Sequence, residues 1–331
     1  MTYSVGGLIQ ATDYNGFVST TVGANVNGIW STGSTDSGYG QTALSTVSAA
    51  GTVTATQWAS LVNTISSMAS HQGTTVTSRT APVAGNTITI LSNLNTDLTT
   101  LTTNRGNAVA NGTQYGTFTG AVSKTTATGS GTTAWTITFT HTITFASANA
   151  ARYFFNAGGR IKWETNKRSI GNLADTEWND LANNLVGDIY ITGGTGTQVI
   201  AATSYTGTTK VGGTGTPNTL LTTTGWYDLL TTDTIIYKQF ADTAPYTGQF
   251  IQISAKTAGT GTQLVLTTVW TDPGGGTESS VITGGTAVSS PATSIGAGDT
   301  APTTLVTYFP PSSTYLTSAA WGTPTIAATT V

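Results

Sequence analysis

Two hydrophobic periodicities divide the chain. In the first third, apolar residues recur at helical spacing: Trp58, Leu61, Val62 and Ile65 stand at i, i+3, i+4 and i+7, one stripe able to pack on a neighbour. Thr54 and Gln57 form a capping-box pattern ahead of that stripe, and Val53 and Trp58 sit where a hydrophobic staple would. Residues 11–20 align without gaps on residues 55–64, matching Tyr14 to Trp58, Phe17 to Leu61 and Val18 to Val62, so the earlier copy also reads as a helix. A fainter echo runs over residues 176–183. Leu91, Leu94, Leu98 and Leu101 predict a further helix over residues 91–103. Threonine is a poor helix former, so these helices depend on packing rather than on propensity. Between the repeats, residues 33–41 are too glycine-rich for helix or central strand and predict an ordered loop. They lack the lysine that a phosphate-binding loop requires.

From about residue 113 the period changes to two. Trp135, Ile137, Phe139, Ile143 and Phe145 alternate with threonines, a long strand with one buried face interrupted by His141. Ser147 caps a short helix over residues 148–156 that Gly158 and Gly159 end, and a strand resumes at 160–164. A helix is predicted over 177–185 and strands over 188–192, 234–240, 249–255 and 263–270. The last two are joined by a hairpin loop at 257–261, and a reversal at 272–276 leads to a return strand near 279–283. Strands at such spacing predict an antiparallel sandwich. After Ser290, Pro310-Pro311 forbids regular structure, and an extended arm lying on this or a neighbouring subunit is expected. The expected fold is α+β, with short N-terminal helices followed by a mostly antiparallel β-sandwich-like body. Residues 1–112 form a helical attachment or oligomerisation segment, 113–290 a β-rich body with two short helices, and 291–331 the arm.

Composition narrows the chemistry. Charged residues are 8% of 331, against about 25% in ordinary globular proteins. There are 40 glycines, two histidines and no cysteine, which excludes thiolate zinc sites, iron–sulfur clusters, thiol nucleophiles and disulfides. A net charge of −3 gives no general attraction for nucleic acid or anionic lipid. Eight tryptophans, twelve tyrosines and 37% hydrophobic residues argue against disorder. No apolar run is long enough for a membrane span, and the first residues carry no export signal, so a product made in a cytoplasm is expected.

Few side chains remain as candidates for function. His141 reads as a buried structural residue because no acid or nucleophile lies near it in sequence. His71, near a helix end, suits the C-terminal carbonyls. Asp175, Glu177 and Asp180 are the closest acidic residues, and a helix N-terminus accounts for the first two without a ligand. Asp228, Asp233 and Asp242 lack calcium-loop spacing. Arg152, Arg160, Lys162, Lys167 and Arg168 cluster among Tyr153, Phe154, Phe155 and Trp163. Basic residues interleaved with aromatics suit a nucleic-acid or glycan contact, but in a chain so poor in charge pairing with acidic residues of a neighbouring subunit or the wet rim of an interface explains them better, and Arg152, Arg160, Lys162, Trp163, Lys167 and Arg168 are the candidate interface or glycan contact residues. No glycine cluster completes a dinucleotide fingerprint, and neither a serine-nucleophile elbow nor a His-Glu-x-x-His zinc motif occurs. No catalytic residue, metal ligand or cofactor is expected.

Several segments together resemble virion structural proteins of tailed phages, especially marine cyanophage-type myoviruses. They are Gly38-Tyr39-Gly40-Gln41, the Ala55–Val62 helix, the run from His141 through Arg152-Tyr153-Phe154-Phe155 to Gly158-Gly159, and Gln252-Ile253-Ser254-Ala255-Lys256. The resemblance implies a non-enzymatic particle component assembled in the host cytoplasm and residing in the virion. Its partners would be copies of itself, other virion proteins and a host surface glycan. A tail, baseplate, neck or fibre-like appendage is the expected place. A capsid decoration protein and a glycan-binding adhesin or polysaccharide depolymerase are the alternatives. No heptad stalk or collagen-like repeat is present.

Overall fold

The computed structural model describes residues 10–19, 24–85, 93–116, 118–119, 123–124, 134–166, 173–194, 196–273, 287–288 and 302–330. Four helices come first: α1 (Ala11–Val18), α2 (Val26–Trp30), α3 (Ala55–Gln72) and α4 (Leu94–Thr103). The start of α3 follows from its sequence. The Gln57 amide donates to the Thr54 hydroxyl at 3.3 Å, and the Thr54 amide donates to Gln57 Oε1 at 2.8 Å. Gly73 ends the helix in the left-handed region at φ 68°, where a side chain is strained. The aligned aromatic residues of the two repeat copies meet edge to face, Tyr14 against Trp58 at 5.3 Å between ring centres. The chain between α2 and α3 is pinned by side-chain amides. Asn27 exchanges two hydrogen bonds with the backbone of Leu44, and Asn15 does the same with Val47. Each asparagine thereby supplies what a neighbouring strand otherwise would.

The β region follows. Its elements are β1 (Phe118–Thr119), β2 (Ser123–Lys124), β3 (Trp135–Thr144), α5 (Ala148–Asn156), β4 (Arg160–Asn166), α6 (Leu173–Asp180), β5 (Asp188–Ile191), β6 (Thr197–Ile200), β7 (Thr203–Thr206) and β8 (Thr208–Val211). Then come β9 (Thr219–Leu220), β10 (Thr234–Phe240), β11 (Phe250–Ala258), β12 (Gln263–Asp272), β13 (Ala287–Val288), β14 (Thr303–Phe309) and β15 (Thr325–Thr330). A seven-stranded sheet has the order β1-β15-β3-β12-β11-β10-β9, and a four-stranded sheet the order β14-β4-β5-β8. Pairing is antiparallel except between β1 and β15. The architecture is therefore α+β, N-terminal helices followed by a mostly antiparallel multi-strand region.

Alternation along β3 works as the sequence predicts. Ile137, Phe139, His141 and Ile143 are buried, while Thr138, Thr140, Thr142 and Thr144 stay half-exposed. On the inward face of β12, Thr268 accepts a hydrogen bond from Trp163 Nε1 of β4 at 2.8 Å, and Trp270 stacks on Trp178 of α6. One contiguous apolar cluster runs from Tyr14 and Trp58 in the helices through Phe139, Trp163 and Leu266 to Trp321 and Ile326.

Two expectations need correction. The segment after residue 302 is not an extended arm: β14 pairs along its length with β4, and β15 lies between β1 and β3. Pro310 and Pro311 do end β14, yet they interrupt rather than prevent regular structure, because Leu305, Val306, Tyr308 and Ile326 bury fully and the strand edges beside them gain backbone partners. The helix expected over 177–185 starts earlier, and its last turn, Leu181–Leu185, is a π-turn. The strand expected near 279–283, and Leu91 at the start of its helix, lie outside the described residues.

Candidate functional site

The basic and aromatic residues singled out in the sequence do not converge on one face. Arg160 and Lys162 share a side of β4 because strand side chains alternate, and Trp163 points to the other. Arg160 is buried, its guanidinium 4.5 Å from the ring centre of Phe309, 5.0 Å from Tyr205 and 5.7 Å from Tyr190. It also donates to Asn111 Oδ1 at 3.3 Å. Lys162 is ion-paired with Glu164 beside it and with Asp188 across the sheet at 3.3 Å. Burial raises the Glu164 carboxyl pKa even against the pull of Lys162. Trp163 is buried against the large sheet. Lys167 and Arg168 lie outside the described residues.

Arg152 has a different task. Helix α5 sets Arg152 and Asn156 one turn apart on the same face, and both reach into the glycine-rich loop after α2. Arg152 donates to the carbonyls of Thr35, Thr32 and Ser37 at 3.0–3.2 Å, and Asn156 donates to those of Ser37 and Gly38 at 2.9 and 3.0 Å. The loop is ordered, as its glycines predicted, because its carbonyls turn inward onto these two donors. Gly40 then passes so close to Tyr153 that an added Cβ would lie 2.3 Å from the ring. That the Arg152 to Gly159 segment clamps this loop was not legible from sequence, since more than a hundred residues separate the partners.

Both histidines are buried. His141 stands opposite Leu266 and Ala328 in the ladder, and burial lowers its pKa to about 3. His71 faces Tyr39 edge-on, and burial outweighs a hydrogen bond to the Ala157 carbonyl to lower its pKa to about 4. His71 is therefore neutral and adds no positive charge to its helix end, contrary to the dipole argument from sequence.

One grouping appears that sequence spacing could not show. Carboxylate oxygens of Glu177 and Asp180, three residues apart on α6, lie within 4.8 Å of each other and of one from Asp242, in the connection between β10 and β11. Glu177 is 6% exposed, and its Oε1 is buried without a hydrogen-bond partner. Desolvation raises the Glu177 pKa, Asp180 and Asp242 add to the rise, and hydrogen bonds from Thr243 oppose it. A separate cavity of about 620 Å³, bordered by Trp30, Gln41, Leu44, Asn63 and Thr317, has no ionisable side chain in its lining.

No family model, no characterised protein and no solved structure matches the chain.

Beyond these groupings, the largest commitments of polar side chains are structural. Gln41 exchanges two hydrogen bonds with the backbone of Thr317, tying the chain between α2 and α3 to the C-terminal region. Arg105 pairs with Asp36 at the edge of the clamped loop, and Arg79 pairs with Asp97. The arrangement spends its few charges on holding its own loops.

Proposed function

We propose that this chain is a non-enzymatic structural protein of a tailed-phage particle, a homo-oligomer built into a tail, baseplate, neck or fibre-like appendage. The observation that carries the reading is the outward face of the seven-stranded sheet. Thr267, Thr140 and Thr329 stand in register across β12, β3 and β15, a row of hydroxyls that continues into the buried Ser254 of β11, and Lys238 and Lys256 stand on the same side of β10 and β11. Threonine gives strong strand propensity and cross-strand hydroxyl contacts, and the uncharged β12-β3-β15 part of the face can meet a copy of itself without like-charge repulsion. The resemblance described above points the same way, and the two main sheets are read as the layers of a sandwich joined through Trp163 and Thr268.

Capsid decoration is the neighbouring placement within the same class. A glycan-binding role would need an accessible aromatic platform, and Trp163 and Arg160, its candidates from sequence, are buried. Size-exclusion chromatography with light scattering on the purified chain tests the proposal. A defined multimer is the expected result. A strict monomer that depolymerises polysaccharide would overturn it.

A further inference from the structure

We propose that Glu177, Asp180 and Asp242 form a calcium site, assembled when α6 packs beside the connection between β10 and β11. Three carboxylates this close repel one another, and among the described residues no lysine or arginine forms an ion pair with any of them. The decisive feature is Glu177. It is 6% exposed, and a buried carboxylate oxygen, Oε1, has no donor. Leaving such an oxygen unpaired is costly, and a cation among three carboxylates removes that cost.

The surroundings orient the ligands. Trp178 fixes α6 to the sheet by stacking on Trp270 with ring centres 5.5 Å apart. Asn184 donates to Asp180 Oδ1 at 2.6 Å, and the Thr243 hydroxyl donates to Asp242 Oδ1 at 3.2 Å. The Thr243 backbone amide also hydrogen-bonds the Glu177 carboxylate. Neighbours that hold one oxygen of a carboxylate and leave the other to the metal are a recurring outer-shell arrangement.

The donor set selects the ion. It offers only oxygen, which suits hard cations rather than zinc or copper. Its members come from a helix and a loop, and Asp242 is exposed, so the set is irregular and open to water. Calcium accepts such sets at six to eight oxygens, whereas magnesium demands a near-ideal octahedron.

Calorimetric titration of the chelator-treated full chain with calcium chloride tests the site, alongside thermal unfolding with and without the ion. One calcium per chain and a raised unfolding temperature are expected. Glu177→Gln and Asp242→Asn should each weaken binding at least about tenfold, since even outer-shell changes cost that much. Asp242 is exposed, so its variant tests the ligand without disturbing the core. Absence of heat at millimolar calcium, equal affinity for magnesium, or unchanged binding in Asp242→Asn overturns the proposal.

Discussion

Acidification from pH 7.5 to pH 4 should destabilise this protein through its two buried histidines. An unfolded chain takes up a proton at each histidine as the pH falls through about 6.5. The folded chain holds His71 neutral down to about 4 and His141 down to about 3. A base whose folded pKa lies below its unfolded value stabilises fully above the unfolded value and loses that contribution as the solution is acidified. For His71, a shift from 6.5 to about 4 is about 3 to 4 kcal/mol at about 1.4 kcal/mol per unit, and the group is only 1% exposed, so little of this is screened. His141 adds a comparable loss over the same window. Glu177 and Glu164 act in the opposite direction, because their raised carboxyl pKa values let the folded state bind protons first. Urea midpoints followed by tryptophan fluorescence at pH 7.5, 6, 5 and 4 measure the sum. The variant His141→Leu, which keeps an apolar residue opposite Leu266 and Ala328, should show a flatter pH dependence than the parent. A midpoint constant from pH 7.5 to 4, or identical slopes in parent and variant, would refute the reasoning.

Three further perturbations test the packing. Gly40→Ala combines a φ of 70° with a Cβ placed 2.3 Å from Tyr153, and should cost about 1–3 kcal/mol, read as a fall in the calorimetric unfolding temperature. Trp163→Phe removes the buried bond to Thr268 between the two main sheets and should cost about 1 kcal/mol or more. Combined with Thr268→Val it should cost less than the sum of the single changes, and strict additivity in urea would show that the bond contributes nothing. Arg152→Met frees three carbonyls of the loop it clamps. Amides of residues 33–38 should then exchange faster with deuterium while those of β12 keep their protection.

What could be read in advance was local. Thr54 and Gln57, Ser147, and the Gly158-Gly159 pair mark helix ends through bonds that span only a few residues, and the observed ends fall beside them. The alternation in β3 reports burial directly, because a strand with one face inside must repeat every second residue, whereas in β12 the buried Thr268 and half-exposed Val269 break the match between residue type and burial. Long-range register leaves no such mark. Nothing near Thr325 announces that it will lie opposite Thr144, and nothing near Asp242 points to Glu177. Proximity in sequence also misled at Arg160 to Trp163: neighbours on a strand face opposite ways, so a cluster of letters became an aromatic cage on one side and a bond between sheets on the other.

The position of β15 bears on how this chain is made. Strand β3 forms one side of its hydrogen-bonded pairing with β12 and the other with β15, and most of the chain separates β3 from β15. During synthesis on the ribosome, β3 and β12 can zip together well before the closing strand emerges, leaving a ten-residue edge of bare amides and carbonyls exposed to whatever strand arrives first. Correct maturation is then a race between the chain's own late segment and the same segment of a neighbouring nascent molecule, so crowded expression should favour exchanged, interlocked products over separate ones.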